Sequence, residues 1–518
     1  MDSPKWDAVI VGGGVAGLSA AQMLGRARRR TLVIDAAQPR NRFSAHMHGV
    51  LGHDGIDPGE LLEKGRTEAR RYGVTIENGA VTSIVDLGSQ LRITRADGTI
   101  DTTRAVVLAA GVIDELPDVP GLAQRWGRDV LHCPYCHGFE VVDSRLGVLA
   151  TSPASLHQIE LARQWSDDVT AFTAAAEPLE EDVRARLVAR GIRIVDALVE
   201  RLEVVDDALA AVVTADGRRH EIDALFTAPL PRLSLGFAEA LGLARSDSPG
   251  SPLAVDGSGA TSHPRVWAAG NLTAPHGNVP MAMGSGSMAG AGANARLVAD
   301  DTARAVADRS AERNARWEQR YADIDRVWSG RVNKTTAAVV TELTAGHVGG
   351  SVLEIGCGEG ADAVWMAERG WTVTAVDVSR TAVDRARAAA RERGIQIDFA
   401  SVDAAGDLPT GPFDLVVSSF LHSWEPDFPR IAILRDALTR VAPGGRMLAV
   451  SHAALPPWKQ DAPEHLPLLR TPTEELALLG LDADDWVIEL AELRARDLHG
   501  PDGTPAVIDD GVLLVRRR

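Results

Sequence analysis

The stretch Ala8-Val9-Ile10-Val11-Gly12-Gly13-Gly14-Val15-Ala16-Gly17-Leu18-Ser19-Ala20-Ala21 decides the fold of the first half of the chain. An apolar run of strand length meets Gly12, Gly14 and Gly17 in GxGxxG spacing, and a good helix-forming stretch follows. A second apolar run, Thr31-Leu32-Val33-Ile34, ends at Asp35, eighteen residues after Gly17. In such a unit the first glycine permits a tight turn. The second lets backbone N–H groups approach a pyrophosphate, and the third lets helix and strand pack closely. The helix N-terminus favours the anion, and a carboxylate at the next strand end holds a ribose hydroxyl. A bare GxGxxG reads equally well as a Gly-rich turn of any α/β protein. Strand, helix and distal acid together make this one a dinucleotide cradle.

The pattern returns once. Ser351-Val352-Leu353-Glu354-Ile355-Gly356-Cys357-Gly358-Glu359-Gly360 precedes a helix, and Thr372-Val373-Thr374-Ala375-Val376 ends at Asp377, which can take a ribose diol. Asp403 follows a strand-like Ile397–Val402, Phe413–Ser418 reads as a further strand, and Ala442-Pro443-Gly444-Gly445-Arg446 as a turn before the strand Met447–Val450. Between the copies, Asp300 to Asn333 is rich in Ala, Arg, Asp and Glu and reads as helix, which puts the boundary near residue 308.

At 518 residues the chain is long enough for three or four domains of about 150 residues. Its 54 Lys+Arg against 71 Asp+Glu leave −17, a field that repels phosphate backbones and anionic membranes, and 4% aromatics are too few for a base-stacking surface. Neither nucleic acid nor membrane is expected as a partner. The longest uncharged stretch, Val266 to Ala295, is broken by Gly, Pro, Asn and His and does not read as a bilayer span. With three cysteines, Cys133, Cys136 and Cys357, a disulfide scaffold is excluded and a cytoplasmic location is expected.

Cys133 and Cys136 stand in His132-Cys133-Pro134-Tyr135-Cys136-His137-Gly138. A structural zinc site would need a second ligand pair at metal spacing, and none is present. Two unrelated buried thiols fit the Pro-Tyr spacer and flanking histidines less well than a redox dithiol, whose reactive thiolate a neighbouring imidazole can favour. His46, His48 and His53 form a second histidine cluster, with only Asp54 and Asp57 near and no ligand spacing, so no metal is expected.

The N-terminal GxGxxG, the CxxC at 133–136 and Val266-Trp267-Ala268-Ala269-Gly270-Asn271 resemble the low-molecular-weight thioredoxin reductases over about residues 5–305. The resemblance implies a two-Rossmann-type flavoprotein disulfide oxidoreductase module. Its FAD domain would comprise 1–115 plus 247–305, with an inserted NAD(P)H-type domain, 116–246, carrying the CxxC. It places Gly12, Gly14, Gly17, Asp35, Arg40, Asn41, Gly270 and Asn271 at FAD, with Arg42 beside them, Cys136 facing the flavin and Cys133 exchanging with substrate. Three departures matter. His132 and His137 flank the cysteines where the family has an acid, so imidazole would be the acid–base group. Asn271 replaces an aspartate. In the inserted domain Leu146-Gly147-Val148-Leu149-Ala150-Thr151-Ser152-Pro153-Ala154-Ser155 lacks the loop glycines, and Val169–Ala175 lacks the basic cluster for a 2′-phosphate. The fold is expected to be kept, while the loop counts against NAD(P)H binding. This pattern is similar to the FAD-dependent dithiol oxidases of the same family, which pass electrons from substrate dithiol to cysteines, flavin and oxygen.

The glycine loop with Glu354, Gly356, Gly358 and Gly360, then Asp377, Asp403, the Asp414 strand and Pro443-Gly444-Gly445 resemble a class I S-adenosylmethionine-dependent methyltransferase with a Rossmann-like fold. The resemblance implies a helical linker and cap over 306–335 and the catalytic domain over 336–518. The glycines would meet the methionine part of S-adenosylmethionine, Asp377 its ribose and Asp403 its adenine. His422, Trp424 and His452 are expected on the methyl-acceptor side, and Cys357 as a buried small residue. The leading expectation is a bifunctional enzyme acting on a small-molecule thiol or disulfide, or on a thioredoxin-like protein, with a small-molecule methyl acceptor. The alternatives are an NAD(P)H-dependent thioredoxin-type reductase with an independent methyltransferase, and a non-enzymatic flavin redox sensor. By analogy with the family, a homodimer is expected.

Overall fold

The computed structural model describes residues 5–152, 155–248, 250–344, 349–423, 427–455, 458, 469–499 and 502–518. The chain divides into two compact units, Met1–Ala303 and Arg304–Arg518.

The first unit opens with β1 (Trp6–Val11), α1 (Val15–Arg26) and β2 (Thr31–Asp35), then α2 (Pro58–Arg71), β3 (Thr75–Asn78), β4 (Val81–Asp86), β5 (Leu91–Arg95) and β6 (Ile100–Leu108). Next come β7 (Ile113–Glu115), α3 (Leu122–Arg125), β8 (Val130–Leu131), α4 (Pro134–His137), β9 (Leu146–Leu149), α5 (Ser155–Ala162), β10 (Val169–Phe172), α6 (Glu181–Ala189) and β11 (Arg193–Val195). The strands β12 (Val199–Val205), β13 (Ala208–Thr214), β14 (Arg219–Glu221), β15 (Ala224–Thr227), β16 (Leu230–Arg232) and β17 (Val266–Ala268) follow.

One sheet runs β3-β2-β1-β6-β5-β4 with β17 added beside β6, parallel from β3 through β6 and β17 and antiparallel beyond. Strand β1 is apolar on both faces because both are covered. Ala8 and Ile10 pack into one core and Val9 and Val11 into another. The chain passes from β1 to β2 on one side and returns to β6 on the other, so the C-terminal ends of β1 and β6 open a crevice at a switch in strand order. A second sheet, β11-β10-β9-β15-β8, is wholly parallel and lies within residues 130–227.

Helix α7 (Val279–Asp323) differs from the expected helix over Asp300–Asn333: it starts twenty-one residues earlier and stops ten earlier. Its glycines, which break a helix in a sequence reading, are demanded by packing. A Cβ on Gly286 would lie 2.1 Å from the Ala16 carbonyl oxygen and one on Gly290 2.7 Å from that of Ala20, so α7 and α1 meet backbone to backbone. Among the described residues no helix is long and apolar enough to cross a membrane.

The second unit contains α8 (Lys334–Leu343), β18 (Ser351–Ile355), α9 (Ala361–Ala367), β19 (Thr372–Asp377), α10 (Arg380–Glu392), β20 (Asp398–Ser401), β21 (Phe413–Ser419) and α11 (Arg430–Thr439). It ends with β22 (Val441–His452), α12 (Pro472–Leu479), β23 (Trp486–His499) and β24 (Pro505–Arg517). The sheet order is β20-β19-β18-β21-β22-β24-β23, parallel except that β24 is antiparallel to both neighbours. It has the Rossmann-like layout expected of this half, with strand order reversing at β18. The expected turn at Ala442–Arg446 is instead a break in register inside β22: Phe413 of β21 faces Val441, while Leu415 faces Arg446. Gly444, at φ +79°, lets the chain absorb the extra residues without leaving the sheet.

Candidate functional sites

At the first crevice, a Cβ on Gly12 would meet the Ala109 carbonyl oxygen at 2.4 Å, and one on Gly17 the Gly12 carbonyl oxygen at 1.9 Å. Both positions are closed to any side chain. Gly14 faces open space, with nothing within 4 Å, and caps α1 with no side-chain hydrogen bond. The first-turn N–H groups of α1 are thus left without a side-chain cap, as an anion site requires. Asp35, at the end of β2, is buried; one oxygen accepts from Ala37 N (3.0 Å), the other from Arg66 (3.3 Å).

Arg40 makes a bidentate pair with Asp114 (2.6 and 2.8 Å) and donates to the Pro275 carbonyl (2.6 Å). Asn271 donates to the carbonyls of Ala274 (3.0 Å) and Gly277 (2.9 Å). Between them these two side chains clamp the segment carrying His276. Asn41 lies 4.0 Å from the Met47 sulfur, and the Gly270 N–H donates to Ser285 Oγ (2.9 Å).

Cys133 caps the N-terminal end of α4, and both it and Cys136 are free, part-buried thiols. The Cys133 thiol is pulled down to about 6: the Cys136 thiol donates to it, and the Tyr135 and Cys136 backbone N–H groups add to this against the opposing effect of burial. Cys136 moves up for the complementary reason, since its proton is held in that bond, and burial and the charge of Glu140 add to it. His132 is lowered to about 4, by burial first and by Arg40 second, and is neutral at physiological pH. Its ring centroid lies 6.4 Å from that of His276. Burial also lowers His137, with Glu140 opposing. His48 bridges Glu140 (3.2 Å) and Asp54 (3.3 Å). A carboxylate therefore does stand near the cysteine pair, supplied by Glu140 rather than by the residue next to Cys136.

After β9 a side chain takes up the Thr151 backbone donor. The N–H of Thr151 donates to Ser155 Oγ (3.2 Å), Ser155 is fully buried, and Gln158 of α5 donates to the His132 carbonyl. Pro153 and Ala154 lie outside the described residues. The helix that would face a pyrophosphate instead supports the CxxC segment.

In the second unit Gly356, Gly358 and Gly360 all have positive φ (+75°, +53° and +80°). Asp377 accepts from the N–H groups of Gly358 (2.8 Å) and Ser379 (2.9 Å). Tyr321 accepts from Trp328 Nε1 (2.7 Å), and a Cβ on Gly358 would lie 3.1 Å from both of those side chains. Asp403 accepts from Ser310 Oγ (2.6 Å) and Asn314 (2.8 Å) of α7, and Glu318 accepts from Ser379 and Thr381 (both 2.6 Å). Glu354, Asp362 and Asp377 are all buried, and burial pushes all three carboxyls up. Asp362 and Asp377 add to the effect at Glu354, whose Oε2 has no hydrogen-bond partner. Cys357 is buried, as expected. His422 and His452 are stacked, with centroids 5.3 Å apart and planes at 9°, on the rim formed by the ends of β21 and β22. Trp424 lies outside the described residues.

Sequence reasoning missed Glu140, His276, Tyr321 and Asp510. Glu140 stands four residues after Cys136, a helical spacing that could have found it. The others are brought in by tertiary pairing and leave no local signal. Among the described residues no group of three or more His, Cys, Asp or Glu is arranged to hold a metal ion.

The description "Pyridine nucleotide-disulphide oxidoreductase" matches residues 6–290 and "Methyltransferase domain" matches residues 352–445. The chain is 33% identical over 315 residues to thioredoxin reductase sirT of Leptosphaeria maculans, an alignment spanning 58% of this chain and 96% of that protein. It is 32% identical over 315 residues to thioredoxin reductase aclD of Aspergillus oryzae, spanning 59% of this chain and all of that protein. Among solved structures, HlmI is 42% identical with a TM-score of 0.57, covering 60% of this chain and 97% of that one. An oxidoreductase from Agrobacterium tumefaciens is 39% identical with a TM-score of 0.54, over 57% of this chain and 99% of that one.

Proposed function

Because this chain belongs to the pyridine nucleotide-disulphide oxidoreductase family, as a thioredoxin reductase-like unit followed by a methyltransferase domain, we propose that it is an FAD-dependent dithiol oxidase joined to an S-adenosylmethionine-dependent methyltransferase of small molecules, thiols among them. The observation that carries the oxidase direction is the Thr151 N–H, taken up by Ser155 Oγ where a nicotinamide dinucleotide would need a free donor.

The residues present fit both cofactors. Open space at Gly14 and the uncapped N-terminus of α1 suit the pyrophosphate of FAD, and Asp35 suits its ribose. Glu354, Asp362 and Asp377 bury three carboxyls under one glycine loop, a setting that favours an organic cation such as a sulfonium bearing an ammonium group. Bound FAD supplies a two-electron acceptor that restores the Cys133–Cys136 disulfide, with oxygen as the final acceptor.

In the chemistry of this chain's own residues, a substrate thiolate attacks the sulfur of Cys133 in the Cys133–Cys136 disulfide, and the electron pair of the broken S–S bond goes to Cys136, which is protonated. The second substrate thiol then attacks the substrate sulfur of the mixed disulfide. The substrate disulfide forms, and Cys133 leaves as the thiolate. Its low pKa makes it the better leaving group, and the high pKa of Cys136 keeps the proton there. Neutral His132, next to Cys133 in the chain, and Glu140, whose charge reaches Cys136 and which pairs with His48, would take the substrate protons.

Anaerobic addition of reductants tests the direction. A small dithiol is expected to bleach the visible flavin band within minutes and NADPH at equal concentration to leave it. Rapid bleaching by NADPH would instead support a thioredoxin-type reductase, the reading favoured by the names of the Leptosphaeria and Aspergillus relatives.

A further inference from the structure

One polar cluster in the second unit is left unused by the reading above. His452 ends β22, and the antiparallel register sets Asp510 of β24 directly opposite. Asp510 is 0% exposed, and it accepts from Arg496 Nε (2.7 Å), Arg496 Nη2 (3.2 Å) and Thr335 Oγ1 (2.7 Å). Burial pushes the Asp510 carboxyl up, but His452, Arg496 and Thr335 outweigh it and keep the group ionised. Its Oδ1 lies 3.9 Å from His452 Nδ1, a buried nitrogen with no hydrogen-bond partner. The His452 side chain as a whole is 37% exposed. One edge of the imidazole thus faces an ionised carboxylate, and the ring keeps access to the open rim.

Packing fixes the plane of that ring. The Phe420 centroid lies 4.3 Å away on a tilted ring, and His422 stacks at 5.3 Å. Phe420 itself sits at φ +53°, a strained conformation for a bulky side chain, of the kind that accumulates at working sites. His422 is differently engaged. Its Nε2 accepts the backbone N–H of His452 (3.1 Å), which fixes the proton on Nδ1 and uses the free lone pair. Burial first and the charge of Arg430 second lower it to about 3. Of the two stacked rings, only His452 has a nitrogen free to receive a proton.

We propose that His452 is the proton acceptor of methyl transfer, positioned by Asp510, and that the methyl acceptor arrives protonated at sulfur or oxygen. This deepens the methyltransferase reading and rests on it. As the acceptor's S–C or O–C bond forms and the donor's C–S bond breaks, the acceptor proton passes to His452 Nε2 and the donor departs as a neutral thioether. The imidazolium then lies against Asp510, whose charge favours it. Arg496, which also holds Asp510 Oδ1 and lies 5.5 Å over the Phe420 ring, opposes it, while Thr335 and Phe420 are uncharged and His422 stays neutral. Water takes the proton afterwards.

The test uses the full-length protein with histidine-selective isotope labelling, with the His452 imidazole signal assigned by its loss in His452→Gln. In Asp510→Asn the share of its Nδ1–H tautomer, read from the ring nitrogen shifts, should fall, because the variant removes the carboxylate facing Nδ1. An unchanged tautomer ratio overturns the pairing. His452→Gln leaves Asp510 bound to Arg496 and Thr335, so it serves as the folded control for kinetics, and its calorimetric affinity for S-adenosylhomocysteine should stay within twofold of wild type. With a cysteine-like thiol of pKa ~8.5 as acceptor, methyl transfer at pH 7 should fall by about 30-fold, since only ~3% of that thiol is then ionised, and the deficit should vanish above about pH 9. A pH-independent deficit, or none, overturns the proposal. If wild type neither binds S-adenosylhomocysteine nor methylates any thiol or phenol, the methyltransferase reading itself fails, and the tautomer ratio still decides the His452–Asp510 pairing.

Discussion

Cys133 and Cys136 are two thiols of the same chemical type, three residues apart, whose acidities are driven in opposite directions. Most of the difference comes from the bond between them, which lowers one and raises the other, with backbone N–H groups reinforcing the lower one. Iodoacetamide alkylation of the reduced protein should therefore follow a titration near pH 6 and label Cys133. In Cys136→Ala, where the thiol donor is removed, the midpoint should rise by a unit or more; a rate profile left at pH 6 would assign the effect to the backbone alone. The CxxC and the two glycine loops were legible in the sequence as motifs. The assignment of acid–base work to His132 and His137 could not include what burial does to them, because desolvation is set by segments far away in the chain. His132 owes its neutrality to burial and to Arg40, ninety-two residues upstream, and Glu140 enters through His48.

Helix α7 shows how the reading of an element depends on its neighbours. Its N-terminal part is spaced with glycines that argue against helix by propensity, yet Gly286 and Gly290 let it lie on the backbone of α1. The glycines separate into two kinds. Gly286→Ala places a methyl 2.1 Å from the Ala16 carbonyl, two residues from Gly14, so it should lower the thermal midpoint of the first unit and weaken flavin retention. Gly284 meets nothing within 4 Å, and Gly284→Ala should be neutral or stabilising by ~0.5–1 kcal/mol. Thermal scans with flavin fluorescence as the second probe compare the pair directly; equal effects would show that the close approach is not what the glycines serve. The Thr151–Ser155 hydrogen bond is tested in the same way. Ser155→Ala strands the Thr151 N–H and should cost ~1 kcal/mol or more without creating affinity for NADPH. The missing loop glycines were readable; that Ser155 would replace a ligand as the partner of Thr151 was not.

For the whole molecule, two units with separate cores should unfold in two transitions. S-adenosylmethionine at 100 times its dissociation constant should add ~2.7 kcal/mol to the second alone. Burial raises the carboxyls of Glu354, Asp362 and Asp377, so the ligand-free fold binds protons more tightly there than the unfolded chain does. The sign follows: their contribution to stability is greatest at low pH and declines as pH rises from the ordinary carboxylate range through the raised values. Removing the charge by Glu354→Gln should raise the second transition while weakening the ligand's stabilising effect, and calorimetry with and without ligand measures both. The unit that heads each sheet was readable from the motifs, β1-α1-β2 and β18-α9-β19 standing where each glycine loop implied a strand, a helix and a second strand. The course of α7 was not. It spans the division between the units, and its residues Ser310, Asn314, Glu318 and Tyr321 attend Asp403, Ser379 and Gly358. A gene rearrangement that parted the two halves at Asp323 would spare every strand of the second sheet and still deliver a descendant without the side chains that hold those positions. One that parted them at Ala303 would pass them on intact, so inheritance of the second activity as a free-standing protein hinges on twenty residues that belong to no strand.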